Sequence, residues 1–149
     1  FGSSRHFGSR VAPCIAGLHQ ALLSLAESAS ASSAMGNEQG TMRPNEKREK
    51  KPPYTSEKGM TYTGEWYNQK REGFGTQTFP DGAKYEGQWL KDSVHGKGKF
   101  TSPLGAVYEG CWANDQAAGF GMYTDVDGSK YTGEWNEDKP HGEGTEMWA

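Results

Sequence analysis

The feature that most constrains this chain is a repeat with no slack in it. Tyr62-Thr-Gly64-Glu-Trp66 returns as Tyr85-Glu-Gly87-Gln-Trp89, Tyr108-Glu-Gly110-Cys-Trp112 and Tyr131-Thr-Gly133-Glu-Trp135, with the tyrosines 23 residues apart each time. Seven residues after each Trp begins a Gly-x-Gly: Gly73/Gly75, Gly96/Gly98, Gly119/Gly121 and Gly142/Gly144. A further glycine precedes each Tyr in register, at Gly59, Gly82, Gly105 and Gly128. A fixed period of roughly 20–50 residues marks an architecture in which each unit is one supersecondary element that buries its apolar face only against its neighbours.

Within a unit, Tyr, Gly and Trp alternate with polar residues at period two, the signal of a strand. A second strand follows through Gly-x-Gly to an aromatic and a Thr, so each unit reads as a β-hairpin. Asn114-Asp115 and residues 136–140 read as loops within units; Pro80-Asp81-Gly82 and Asp127-Gly128 read as turns between them. Tyr54-Thr55 is in register with Phe100-Thr101, which places half a unit before Tyr62. Trp148 is in register with Phe79, and the expectation is that the natural protein continues past Ala149. The predicted class is all-β, an antiparallel sheet of stacked 23-residue hairpins over residues 53–149.

Composition explains what such hairpins have to pack with. Leu, Ile, Val and Phe fill only 17 of 149 positions, too few to cover a parallel sheet on both faces, which excludes an α/β enzyme core. Five Trp and seven Tyr are available instead. One buried ring removes ~150–250 Å² from water, several kcal/mol at ~25 cal/mol per Å². Side chains alternate along a strand, so Tyr62, Gly64 and Trp66 share a face. The expectation is that Gly64, Gly87, Gly110 and Gly133 form floors on which a neighbouring strand's Trp lies flat.

Residues 1–52 read differently, as a disordered or targeting extension and linker. Residues 1–58 hold eight Lys/Arg and five Asp/Glu, a net of +3, whereas residues 59–149 hold eight and fourteen, a net of −6. Residues 1–34 are rich in Ser and Ala with Glu27 the one acid, a composition that fits an organelle transit peptide. The alternative is that Met35 is the start and the preceding stretch an artefact or a disordered extension; Gly36 would then be a weak myristoylation candidate. In the linker, Arg43, Lys47, Arg48, Lys50 and Lys51 are interrupted by Glu46 and Glu49. They form a solvated run, and they are also the one candidate contact for an anionic membrane.

Tyr-x-Gly-x-Trp, then His/Glu-Gly-x-Gly and an Asp-Gly turn at period 23, resembles the MORN repeat (membrane occupation and recognition nexus) over about residues 53–149. The departures are Glu72 and Ala118 where His95 and His141 stand, and Leu104 before Gly105. The resemblance implies an elongated, twisted sheet with an aromatic groove. It also implies non-enzymatic roles in ciliary, flagellar and cortical scaffolds or membrane junctions, or as an N-terminal arm of a lipid kinase or methyltransferase. On that basis Tyr62, Trp66, Tyr85, Trp89, Tyr108, Trp112, Tyr131 and Trp135 are the candidate groove for an extended or helical partner segment. Most of their area is expected to be the repeat's own core, with a partner using what stays exposed and the open sheet edge. The implied location is cytoplasmic, at the cytoskeleton or a cilium, with organelle import left open by residues 1–34.

No residue constellation argues for catalysis or a cofactor. His95 and His141 are two units apart, roughly 19 Å at ~4.8 Å per strand, too far to share a metal. Glu86 and Glu109 are about 9–10 Å apart on the same arithmetic, a separation that suits paired carboxylates, but they read as a solvated row. The Gly-x-Gly pairs have no third glycine and no following helix. Cys111 reads as a free thiol in a reducing compartment. The acidic array would repel nucleic acid and anionic lipid, and its open edge could pair with a second copy. The expected function is a protein-interaction scaffold; the alternatives are a phosphoinositide or anionic-membrane module and a regulatory arm of a longer enzyme.

Overall fold

The computed structural model describes residues 3–4 and 47–149, so the transit-peptide and start-site readings and Arg43 lie outside the described residues. The strands are β1 (Ser3–Ser4), β2 (Glu49–Lys50), β3 (Tyr54–Thr55), β4 (Thr61–Tyr67), β5 (Lys70–Thr78), β6 (Lys84–Leu90), β7 (Ser93–Thr101), β8 (Val107–Ala113), β9 (Gln116–Thr124), β10 (Lys130–Asn136) and β11 (Lys139–Met147). They form one open sheet in which β4 to β11 follow one another in chain order, with β2 and β3 both on β4 and β1 on β11. Every pairing is antiparallel.

Two kinds of turn make this ladder. Inside each hairpin both turn residues have positive φ: Asn68/Gln69, Lys91/Asp92, Asn114/Asp115 and Glu137/Asp138. That is the type I′ geometry, whose twist matches the flanking strands. The loop expected over 136–140 therefore shrinks to Glu137-Asp138, and Lys139 and Pro140 already belong to β11. Between hairpins the chain closes through the Gly82 N–H to the Phe79 carbonyl at 3.0 Å and the Phe79 N–H to the Ala83 carbonyl at 2.9 Å, with Gly82 at φ +95. In each Gly-x-Gly the first glycine also has positive φ. It sits opposite a register shift, as between Gly87 and Trp89, where the ladder bulges.

The core is a row of rings, but the ring resting on glycine is not the one expected. A Cβ on Gly75, Gly98, Gly121 or Gly144 would run into the ring of Tyr62, Tyr85, Tyr108 or Tyr131 respectively. The tyrosine of the same hairpin therefore covers its own glycine pair. Its hydroxyl then donates to the main-chain carbonyl three residues on, at 2.8 Å for Tyr62 to Glu65 and 2.9 Å for Tyr85 to Gln88. Each Trp instead stands edge-on to the tyrosines of two units; Trp89 has its ring centroid 5.3 Å from both Tyr62 and Tyr85, near perpendicular. Its indole N–H donates back to the preceding unit, Trp89 to Gly75, Trp112 to Gly98 and Trp135 to Gly121, at 3.0–3.1 Å. Rings favour such edge-to-face packing, and a flat Trp would have forfeited the indole hydrogen bond.

A second tie joins neighbouring hairpins. The Asp115 N–H donates to the Val94 carbonyl at 3.1 Å while its carboxylate accepts the Val94 N–H at 2.7 Å. Asp92 does the same to Arg71, and Asp138 to Ala117. Each clasp reaches back 21 residues to the hairpin before. The sheet itself begins inside the stretch read as linker, because Glu49 and Lys50 pair with Trp66 and Glu65. Pro52 and Pro53 then interrupt the ladder before Tyr54 pairs with Tyr62, since proline has no N–H to give.

Candidate functional site

The eight rings expected to line a groove are the core. Tyr62, Tyr85, Trp89, Tyr108, Trp112, Tyr131 and Trp135 are all buried, at most 3% exposed, and Trp66 is half-buried against them. The physical reason is the edge-on stacking: each Trp is flanked by tyrosines of two units. Trp66 lacks a complete hairpin before it. Tyr54 takes the missing place, 5.9 Å away and perpendicular, and the Lys51 ammonium sits 5.5 Å from the Trp66 ring centre. The residue 14 positions before Trp66 is Pro52 rather than glycine, and the buried Trp66 indole N–H has no acceptor among the described residues.

That end of the ring face is hollow. A cavity of about 740 Å³ is lined there by Tyr54, Met60, Tyr62, Trp66, Arg71, Gln77 and Asp92 among others. Arg71 occupies the position held by Val94 and Ala117 in later units. Its guanidinium lies 4.4 Å from the Trp89 ring centre, pairs with the Asp92 carboxylate at 3.2 Å, and donates to the Asp92 carbonyl at 2.8 Å and to Gln77 Oε1. Its donors are engaged within the fold, so it covers the Trp89 ring.

The opposite face of the sheet is open. Thr63, Glu65, Phe74, Thr76, Glu86, Lys97, Lys99 and Glu109 line a groove of about 880 Å³ there, closed at one side by Lys50 and Lys51. Phe74 and Phe120, the middle residues of two Gly-x-Gly motifs, leave 62% and 63% of their surface exposed on this face. Lys97 stands in the same position of the unit between them, and Met122 follows two residues after Phe120. The bulge that aims these residues outward is held from the same face. The Phe74 N–H donates to Glu65 Oε2 at 2.6 Å, Lys97 to Gln88 Oε1 at 2.8 Å and Glu143 to Glu134 Oε2 at 3.1 Å. Cys111 occupies the equivalent place in the third unit as a half-buried free thiol.

Of the linker cations, Lys47 is exposed and Arg48 half-buried, with its Cδ near Gly73. Lys50 and Lys51 line the same groove as Lys97 and Lys99, four strands away across the sheet, and the Lys51 ammonium is turned to the Trp66 ring. Glu86 and Glu109 flank Lys99 as its cross-strand partners. Among the described residues no group of three or more His, Cys, Asp or Glu converges to hold a metal ion. Burial pushes the phenols of Tyr62, Tyr85 and Tyr108 well above their ordinary range. Burial likewise pushes the Asp115 carboxyl upward, against the pull of the Val94 N–H and Arg71. Reading Gly-x-Gly as a glycine motif passed over its middle residue, and the sequence signal for the open face was that x: Phe, Lys, Phe, Glu.

The MORN repeat family model matches residues 62–84, 85–106, 108–130 and 131–149, which are the four hairpins from β4 to β11. No curated protein matches the chain.

Proposed function

Because the chain belongs to the MORN repeat family, whose repeats are protein- and membrane-interaction modules, we propose that it is a non-enzymatic scaffold that holds a segment of a protein partner on the open face of its sheet. The observation that carries this reading is the division between the two faces. The ring face is consumed in holding the array together, while the other face keeps Phe74 and Phe120 in water. Exposed large apolar side chains on a face rimmed by charge mark interaction surfaces. A cytoplasmic position in a cytoskeletal or ciliary assembly belongs to the same proposal.

Lys50, Lys97 and Lys99 line one groove and favour a second reading, contact with anionic lipid. Glu65, Glu86 and Glu109 line the same groove and weigh against it, since they would repel headgroup phosphates. The two readings separate by photo-crosslinking of the full chain in cells, with a photoreactive residue at 74, at 120, or at the exposed Val126 as control. The scaffold reading expects discrete protein adducts from 74 and 120 and none from 126. Lipid adducts alone, or equal yields from all three positions, would overturn it.

A further inference from the structure

We infer that the open face selects a helical partner segment with an acidic residue at its centre and apolar residues two turns to either side. This rests on the reading of that face as the docking surface. The middle residues of successive Gly-x-Gly motifs place Phe74, Lys97 and Phe120 on alternate strands β5, β7 and β9. Consecutive members of this row are therefore two strands, about 10 Å, apart.

The two rings are bare. Lys97 is exposed and forms no ion pair with a described residue. Its neighbours across the ladder are uncharged: Cys111 is its register partner, and Gln88 accepts its main-chain N–H. Lys99, by contrast, lies between Glu86 and Glu109. The uncompensated positive charge in the row is that of Lys97.

A segment lying along the array crosses the strands, so it cannot join the ladder and has to satisfy its own main chain, as a helix does. Seven residues of helix advance about 10.5 Å and return to nearly the same face, which matches the ring-to-lysine spacing. An apolar residue at i−7, an acid at i and an apolar residue at i+7 then meet Phe74, Lys97 and Phe120 together. A second copy of the chain fits poorly. Two open faces related by a two-fold axis along β7 would set each Phe74 against Phe120 but oppose Lys97 to Lys97, and like charges across an interface cost several kcal/mol. A bilayer fits poorly as well, since Glu65, Glu86 and Glu109 share the face.

The test uses the full chain and two synthetic helical peptides of 21 residues, identical except for Glu or Lys at the centre, each with Leu seven residues to either side. Binding is followed by fluorescence anisotropy. The Glu peptide is expected to bind at least tenfold tighter than the Lys peptide, Lys97→Glu to invert that order, and Phe74→Ser with Phe120→Ser to abolish both. All three positions are exposed, so circular dichroism of the variants should match the parent. Equal affinity for the two peptides, or an unchanged order in Lys97→Glu, would overturn the inference while leaving the docking face intact. Binding of neither peptide, alongside protein adducts from positions 74 and 120, would do the same. Binding that survives the double Phe substitution would overturn the docking face too.

Discussion

At the scale of single residues, the glycines divide by what surrounds them. A Cβ on Gly87 would come within 2.6 Å of the Lys97 carbonyl oxygen and against the Gly98 backbone, neither of which can move without breaking the ladder. Gly82 has nothing within 4 Å of the same atom and is constrained only by φ. Gly87→Val is therefore expected to cost more than ~4 kcal/mol, in the range reserved for severe packing faults, and Gly82→Ala about 1–2 kcal/mol from the positive φ alone. Chemical denaturation of the two variants checks the contrast, and similar losses would contradict it. The tyrosines carry a second expectation. Their phenols are held protonated by burial, whereas an unfolded tyrosine ionises near ~10. A raised native value means the stabilisation is complete below about pH 10 and drains away as pH rises above it. Melting temperature should be flat from pH 7 to 9 and fall steeply by pH 11, more steeply than in Tyr85→Phe.

At the scale of the hairpin, the clasp formed by Asp92, Asp115 and Asp138 is the element that links one unit to the one before. Asp115→Ala removes the acceptor of a buried N–H, about 1–3 kcal/mol, and leaves alanine at φ 65. Asn keeps an oxygen acceptor and tolerates that conformation. It also removes a charge whose burial works against ionisation, so Asp115→Asn should stay within ~1 kcal/mol of the parent at pH 7. Because the native carboxyl takes up its proton more readily than the unfolded one, the gap between parent and Asn variant should move in the parent's favour on acidification. Unfolding curves of the three proteins at pH 7 and 4.5 decide this; a gap that moves the other way would refute it. The clasp was hidden in the sequence because Asn114-Asp115 reads as an ordinary turn, and a carboxylate's partner 21 residues upstream has no local signature. The strands were legible because alternation at period two needs no partner to be seen. Burial of the rings was legible too, because one unit cannot cover its own Tyr and Trp. Their edge-on geometry was not, because alternation shows which residues share a face but not how a ring is turned.

For the whole molecule, the period made the fold readable almost to the residue, while the working face had to be found in the positions where the units disagree. Phe74, Lys97, Phe120 and Glu143 share one place in the repeat and differ because nothing in the stack restrains them. A linear stack in which each hairpin touches only its neighbours should loosen from its ends. Amide exchange is expected to be slowest in β6 to β9 and faster toward β11; uniform protection along the array would contradict that picture. The clasps add a direction to this line. Every one is closed by a later aspartate onto an earlier strand, and the indole N–H groups of Trp89, Trp112 and Trp135 likewise reach backward to a glycine already in place. A hairpin leaving the ribosome thus meets partners for both bonds already made, 21 residues sooner for the clasp and 14 for the indole. From β4 onward each hairpin can dock on the one before it as it is translated, whereas β1 gains its partner only once β11 is made.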